Sequence, residues 1–138
     1  MHYGNPDDFQ WDVVSGISGG AINTGAMSVW AKEDGLAMSE WVSDKWVNLT
    51  TPEIWKFWPG GITEGLTTAP SLVDSTPLLE FMTSKLEPFG KIARYAMIGT
   101  VDANTGDYIS WRLDESTWEQ VPTKIVSSAS LGGLFIPQ

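Results

Sequence analysis

The sequence predicts an α/β domain built on a mainly parallel sheet, and three observations carry that expectation. A short valine-containing run, Trp11 to Ser15, leads at once into the small-residue turn "GISGG" and then into apolar residues at helical spacing. Two strand-like runs, 92–101 and 107–113, flank the turn "DANTG". Other segments begin as helices begin, at Thr76-Pro77 and Val121-Pro122. Strands that alternate with helices favour parallel pairing, because the crossover helix returns the chain to the same end of the sheet.

Taken in order, residues 1–10 read as a loop, with Gly4, Pro6 and the pair Asp7-Asp8. From Gly19 onward Ile22, Ala26, Val29 and Trp30 fall on one helical face, and Asp34-Gly35 is expected to end that helix. Residues 37–49 carry Trp41, Lys45, Trp46 and Leu49 at helical spacing, with the tryptophans expected in the core. The segment 50–75 holds three prolines, three glycines and two tryptophans, so it is expected to be a long loop with short helical turns. At Thr76-Pro77 a capping hydroxyl precedes a proline at the first helical position. Leu78, Leu79, Met82 and Leu86 then form an apolar face, and Pro88 with Gly90 stops the helix. A hairpin around "DANTG" follows, then a short helix to about Ser128 and a glycine-rich tail.

Composition removes several function classes. With 42% hydrophobic and 18% charged residues, the 138-residue chain is expected to fold as one domain with a buried core. Lys and Arg number 8 against 17 Asp and Glu, so there is no basic footprint for nucleic acid. The absence of cysteine excludes thiolate nucleophiles and Cys-based zinc sites, and no metal site or organic cofactor is expected. No apolar run is long enough for a transmembrane segment, and the first ten residues lack the basic start and apolar core of a secretory signal. The compartment stays unassigned, with the cytoplasm slightly favoured.

The chemistry is concentrated in "VVSGISGGAINT". A sharp strand-to-helix turn forces its central residue into strained geometry, and bulk two positions to either side would collide, so Gly16 and Gly20 are expected to be required. Ser18 is then held clear of the sheet as a nucleophile, with the Gly19 N–H as oxyanion donor at the positive end of a helix. A Walker-type phosphate loop is excluded, since no lysine occurs before Lys32, and the dinucleotide fingerprint needs glycine where Ser18 stands. A serine nucleophile needs a base, yet the single histidine, His2, precedes Ser18 in the leader. A carboxylate partner is therefore expected in place of imidazole. Asp102 and Asp107 flank a turn, Asp74 belongs to a helix start and Asp12 lies at the start of the elbow strand, remote from its far end, so none is expected to be that base.

These residues resemble the nucleophile elbow of patatin-like phospholipases, whose Gly-x-Ser-x-Gly serine works with an aspartate. The likeness continues in family order through "SLVDSTPLLEFM", "IGTVDANTGDYISW" and "KIVSSASLGGLFIPQ". It implies a three-layer α/β/α fold and hydrolysis of carboxylic esters in phospholipids or other acyl lipids, with contact to a membrane surface. Trp55, Phe57 and Trp58 are candidates for an acyl groove or a lipid interface, against the plainer expectation that they fill the core. The family's glycine-rich oxyanion loop and its Asp-Gly-Gly/Ala motif have no counterpart in residues 1–138, and Gly132 and Ile136 stand where the family commonly has proline. The resemblance thus implies an internal piece of the domain, incomplete at both ends, with the catalytic aspartate outside this chain, little activity alone and apolar surface left exposed. Two other readings stand beside it: a non-catalytic lipid- or protein-binding remnant of the fold, and an α/β-hydrolase esterase whose histidine lies beyond Gln138.

Overall fold

A computed structural model describes Asn5, Gln10–Leu131 and Leu134–Phe135; His2, Gly132 and Ile136, named above, lie outside these residues. Strand β1 (Val13–Ile17) leads through Ser18 into α1 (Gly19–Ser28), followed by α2 (Gly35–Asn48), the short α3 (Gly61–Thr67) and α4 (Thr76–Leu86). Strands β2 (Tyr95–Val101) and β3 (Tyr108–Arg112) and helix α5 (Val121–Ala129) complete the order. The chain is thus mixed helix and strand, as expected. β1 starts two residues later than the apolar run and continues through Gly16 to Ile17.

The sheet order is β1-β2-β3. β1 pairs parallel with β2, from Val13 opposite Tyr95 to Ile17 opposite Gly99. β2 pairs antiparallel with β3, from Met97 opposite Arg112 to Val101 opposite Tyr108. The described sheet is therefore evenly mixed, which corrects the expected predominance of parallel pairs. The cause is the turn at 102–107, too short for a crossover, so it can join only antiparallel neighbours. Gly106 takes a left-handed φ of 77° there, and its N–H donates to the Asp102 carbonyl at 2.8 Å. The Asp102 carboxylate closes the turn by accepting the N–H groups of Asn104 and Thr105.

Burial alternates along the strands. Val14, Ala96 and Ile98 are buried, while Val13, Ser15, Ile17, Tyr95, Met97 and Val101 are exposed. Helices α1, α4 and α5 close over the buried set and form one core with Leu78, Met82, Leu86, Leu113, Val121, Ile125 and Val126. The described residues thus make two layers, with the other sheet face open, where the resemblance implies three. The open face is apolar: Ile17 is 62% exposed and Val101 64%. Arg112 covers part of it, its guanidinium 3.7 Å from the centre of the Tyr95 ring.

Small residues let α1 sit deep between β1 and α5. A Cβ added at Gly25 would meet Ile125 Cδ1 at 2.2 Å, so glycine is what allows these two helices to cross so closely. α1 ends at Ser28, well before the expected stop, and Asp34-Gly35 opens α2 instead. The reason lies in Arg94, which is buried and donates to three carbonyls. Its Nε reaches Trp30, and its two Nη atoms reach Ala31 and Trp11, at 2.9, 2.8 and 3.1 Å. These bonds draw the chain out of helix after Val29 and clamp the segments before β1 and after α1 to the start of β2. Burial lowers the Arg94 pKa, against the pull of Glu33, Asp12 and Asp34, yet leaves it a cation at any physiological pH.

At the start of α4, Thr76 is the first helical residue rather than the cap. Asp74 accepts its N–H at 2.9 Å and pairs with Lys56 at 3.4 Å. Backbone bonds between Lys56 and Asp74 also close the long loop between them. The three-carbonyl clamp predicts a large effect of substitution: Arg94→Gln should cost roughly 2–4 kcal/mol in urea unfolding, because carbonyls are left unpaired in a buried site. Arg94→Lys should recover less than half of that, since one ammonium cannot span three acceptors.

Candidate active site

Ser18 joins the end of β1 to the start of α1 with φ 55° and ψ −128°, and among the described residues no other non-glycine has a positive φ. These angles match the first central position of a type II′ turn, where glycine is the rule. Holding an L-residue there costs about 1–3 kcal/mol. The serine is exposed, so its hydroxyl is open to solvent and to a ligand.

The glycines around it do different things. A Cβ on Gly16 would lie 2.4 Å from the Gly20 carbonyl oxygen and 2.8 Å from Thr24 Oγ1, so a bare Gly16 is what lets the first turns of α1 rest on β1. A Cβ on Gly20 would meet nothing within 4 Å. The expected steric need for glycine at position 20 is therefore corrected: its carbonyl, not its lack of side chain, takes part in the close approach. Gly19 is exposed and opens α1, where N–H groups have no acceptor within the helix and the dipole is positive. No acidic residue in that first turn competes for the position of an oxyanion.

The Ser18 N–H donates to Ser128 Oγ at 3.0 Å, and Ser128 Oγ donates in turn to the Gly99 carbonyl at 2.5 Å. A cavity of about 630 Å³ opens beside Ser18, at the carboxyl ends of β1 and β2 and against the last turn of α5. Its size suits a small organic ligand or part of a lipid. Ile17, Val101, Tyr108, Trp111 and Phe135 give it apolar walls. Ser18, Ser127, Ser128 and Asp102 give it polar points. Trp111 is held by its Nε1–H, which donates to Thr100 Oγ1 at 3.1 Å. Tyr108 lies across Gly99, where an added Cβ would come 2.1 Å from its hydroxyl oxygen.

Among the described residues, no side chain hydrogen-bonds the Ser18 hydroxyl. Asp102 shares the cavity wall, but one oxygen of its carboxylate is committed to the turn. Asp12 pairs with Lys32 at 2.6 Å, ahead of β1 and away from its Ser18 end. Asp74 is committed to Thr76 and Lys56; burial works to raise its pKa, and the bonds from Thr76 and Lys56 outweigh it, leaving the group below its ordinary value. Asp107 lies in the hairpin turn, its carbonyl accepting the Asp102 N–H.

Trp55, Phe57 and Trp58 do not line the cavity at Ser18. They brace the long loop instead: Trp55 and Phe57 meet edge to face at 5.1 Å, and Trp58 Nε1 donates to the Ser71 carbonyl. Ser128, Tyr108 and Trp111 are site residues that sequence reasoning missed. A hydroxyl within the run "SSAS" was the available signal for the first, but nothing local says that it faces the elbow.

No protein-family model, curated protein or solved structure matches the chain.

The two elbow glycines are expected to respond unequally. Gly16→Ala should lower stability by about 1–3 kcal/mol through overpacking against α1. Gly20→Ala should be neutral or slightly stabilising, because alanine is the better helix former by about 1 kcal/mol. Urea titration of both variants checks the contrast.

Proposed function

We propose that this chain carries the nucleophile of a patatin-like serine lipid acyl hydrolase acting on carboxylic esters. The observation that carries the reading is Ser18 itself: a non-glycine residue in glycine geometry, at the end of a parallel strand, before a helix N-terminus and on the wall of a cavity. In this reading Ser18 Oγ attacks the ester carbonyl, and the Gly19 N–H receives the negative charge of the tetrahedral intermediate. The alcohol leaves, an acyl-serine forms, and water releases the acid. An aspartate from outside these 138 residues takes and returns the proton. This route requires no metal or organic cofactor.

The same reading supplies a third layer of helices over the open sheet face, giving the α/β/α arrangement; the apolar residues Val13, Ile17, Met97 and Val101 on that face support it. Trp55, Phe57 and Trp58 then serve contact with a lipid surface, supported by the 51% exposure of Phe57. A non-catalytic binding role is the second reading, favoured by the lack of a base on the Ser18 hydroxyl among the described residues.

A fluorophosphonate probe separates the two in the protein that bears this chain in its natural reading frame. Labelling that disappears in Ser18→Ala supports the hydrolase; no labelling, or equal labelling of the variant, overturns it. Residues 1–138 alone should hydrolyse a p-nitrophenyl ester several orders of magnitude more slowly, since half of the nucleophile–base pair is missing. Ser18→Gly offers a separate check: it should be inert to the probe yet about 1 kcal/mol more stable to urea, because glycine relieves the strained φ.

A further inference from the structure

The Ser18 peptide leaves the sheet at an angle that no strand pairs, so its N–H needs a partner from elsewhere. That partner is the hydroxyl of Ser128, 110 residues further along the chain and on the last turn of α5. The same hydroxyl reaches the carbonyl of Gly99, the residue that pairs with Ile17 across the sheet. A serine hydroxyl has one proton to give and lone pairs to offer. Ser18 presents only a donor and Gly99 only an acceptor, so the proton goes to Gly99 and a lone pair receives the Ser18 N–H. The hydroxyl is fixed in direction by its two partners, and it ties the ends of β1 and β2 to α5.

We propose that Ser128 is a positioning residue for the nucleophile, acting through the Ser18 backbone; this rests on the catalytic reading of Ser18. A strained φ/ψ pair persists only where the surroundings over-determine it. Gly16 removes an obstacle but exerts no hold; the Ala21 N–H holds the Ser18 carbonyl at 2.9 Å, and the Ser128 bond holds the Ser18 N–H on the other side of the strained φ. Without it the Ser18 peptide relaxes, and Oγ swings together with the neighbouring Gly19 N–H, so nucleophile and oxyanion donor move off their common target. Displacement of that kind by about 1 Å costs on the order of 100-fold in rate. The bond has a second effect. With its own N–H occupied, Ser18 offers no competing backbone donor, and the substrate oxygen is directed to Gly19.

The test uses the protein in which wild-type Ser18 takes the fluorophosphonate, with Ser128→Ala, Ser128→Thr and Ser128→Val. Ser128→Ala should lower kcat on a p-nitrophenyl ester and the labelling rate by roughly 10- to 100-fold, with KM within about twofold of wild type. Ser128→Thr keeps a hydroxyl and should recover most of the rate, whereas Ser128→Val, of the same shape, should not. That pair carries the test if Ser128→Ala fails to fold. Hydrogen exchange at the Ser18 amide should quicken by about tenfold or more in the alanine and valine variants and stay slow in Ser128→Thr. Wild-type kcat and labelling in Ser128→Ala, alongside a dead Ser18→Ala, would overturn the positioning role and leave the catalytic reading standing. If the wild-type protein takes no label, the catalytic reading fails first and the role fails with it.

Discussion

The constraint on which the rest depends is the contact of α1 with β1 at Gly16, where one methyl group would fall 2.4 Å from a helix carbonyl. Most of the arrangement follows from it. A helix that lies this near the strand buries Ala21 completely and brings Gly25 against Ile125, which seats α5 beside α1. Seating α5 delivers Ser128 to the elbow. Three small residues on one path, Gly16, Ala21 and Gly25, therefore set a distance, and the site depends on that distance.

The two ends of the sheet are built for opposite purposes. At the amino ends of β1 and β2, buried Arg94 satisfies three carbonyls from two other segments, and Trp30, Trp41 and Phe89 pack their rings nearby. At the side of β2, Asp114 accepts from Arg112 and from the Ala96 N–H, and the Arg112 bond holds its carboxyl below the ordinary carboxylate range. At the carboxyl ends there is a cavity, an exposed serine and strained backbone. Tightly bonded framework at one end lets unfavourable geometry persist at the other.

Local chemistry was legible in the sequence wherever a residue's role is local. The alternation of small residues around Ser18 marked the elbow, the "DANTG" turn marked a hairpin, and Pro88 with Gly90 marked the end of α4, where Gly90 takes a left-handed φ of 65°. Reading failed where a distant group decided the outcome. Asp34-Gly35 looked like a helix stop, but Arg94 had already ended α1 from sixty residues away, at Trp30 and Ala31. Thr76 looked like a cap, but the carboxylate of Asp74 reached its N–H first. Strand β1 carries two adjacent valines, yet only the side bearing Val14 meets the helices, because the packing of α1 decides which face is covered. Gly20 followed the pattern without needing its missing Cβ, because a pattern records position and not which atom makes the contact.

The bond from the Ser18 N–H to Ser128 also bears on when the site comes into being. β1 precedes its neighbour β2, which begins at Tyr95, and the brace for the elbow lies later still, on α5. As the chain emerges during synthesis, the serine is present long before anything can hold it in the rare backbone state. Contacts so far apart in sequence form late, because loop closure must precede them. The elbow therefore belongs to the finished fold rather than to the five residues that spell it. Grafting those residues alone onto another strand–helix junction would transfer the hydroxyl and leave its geometry behind.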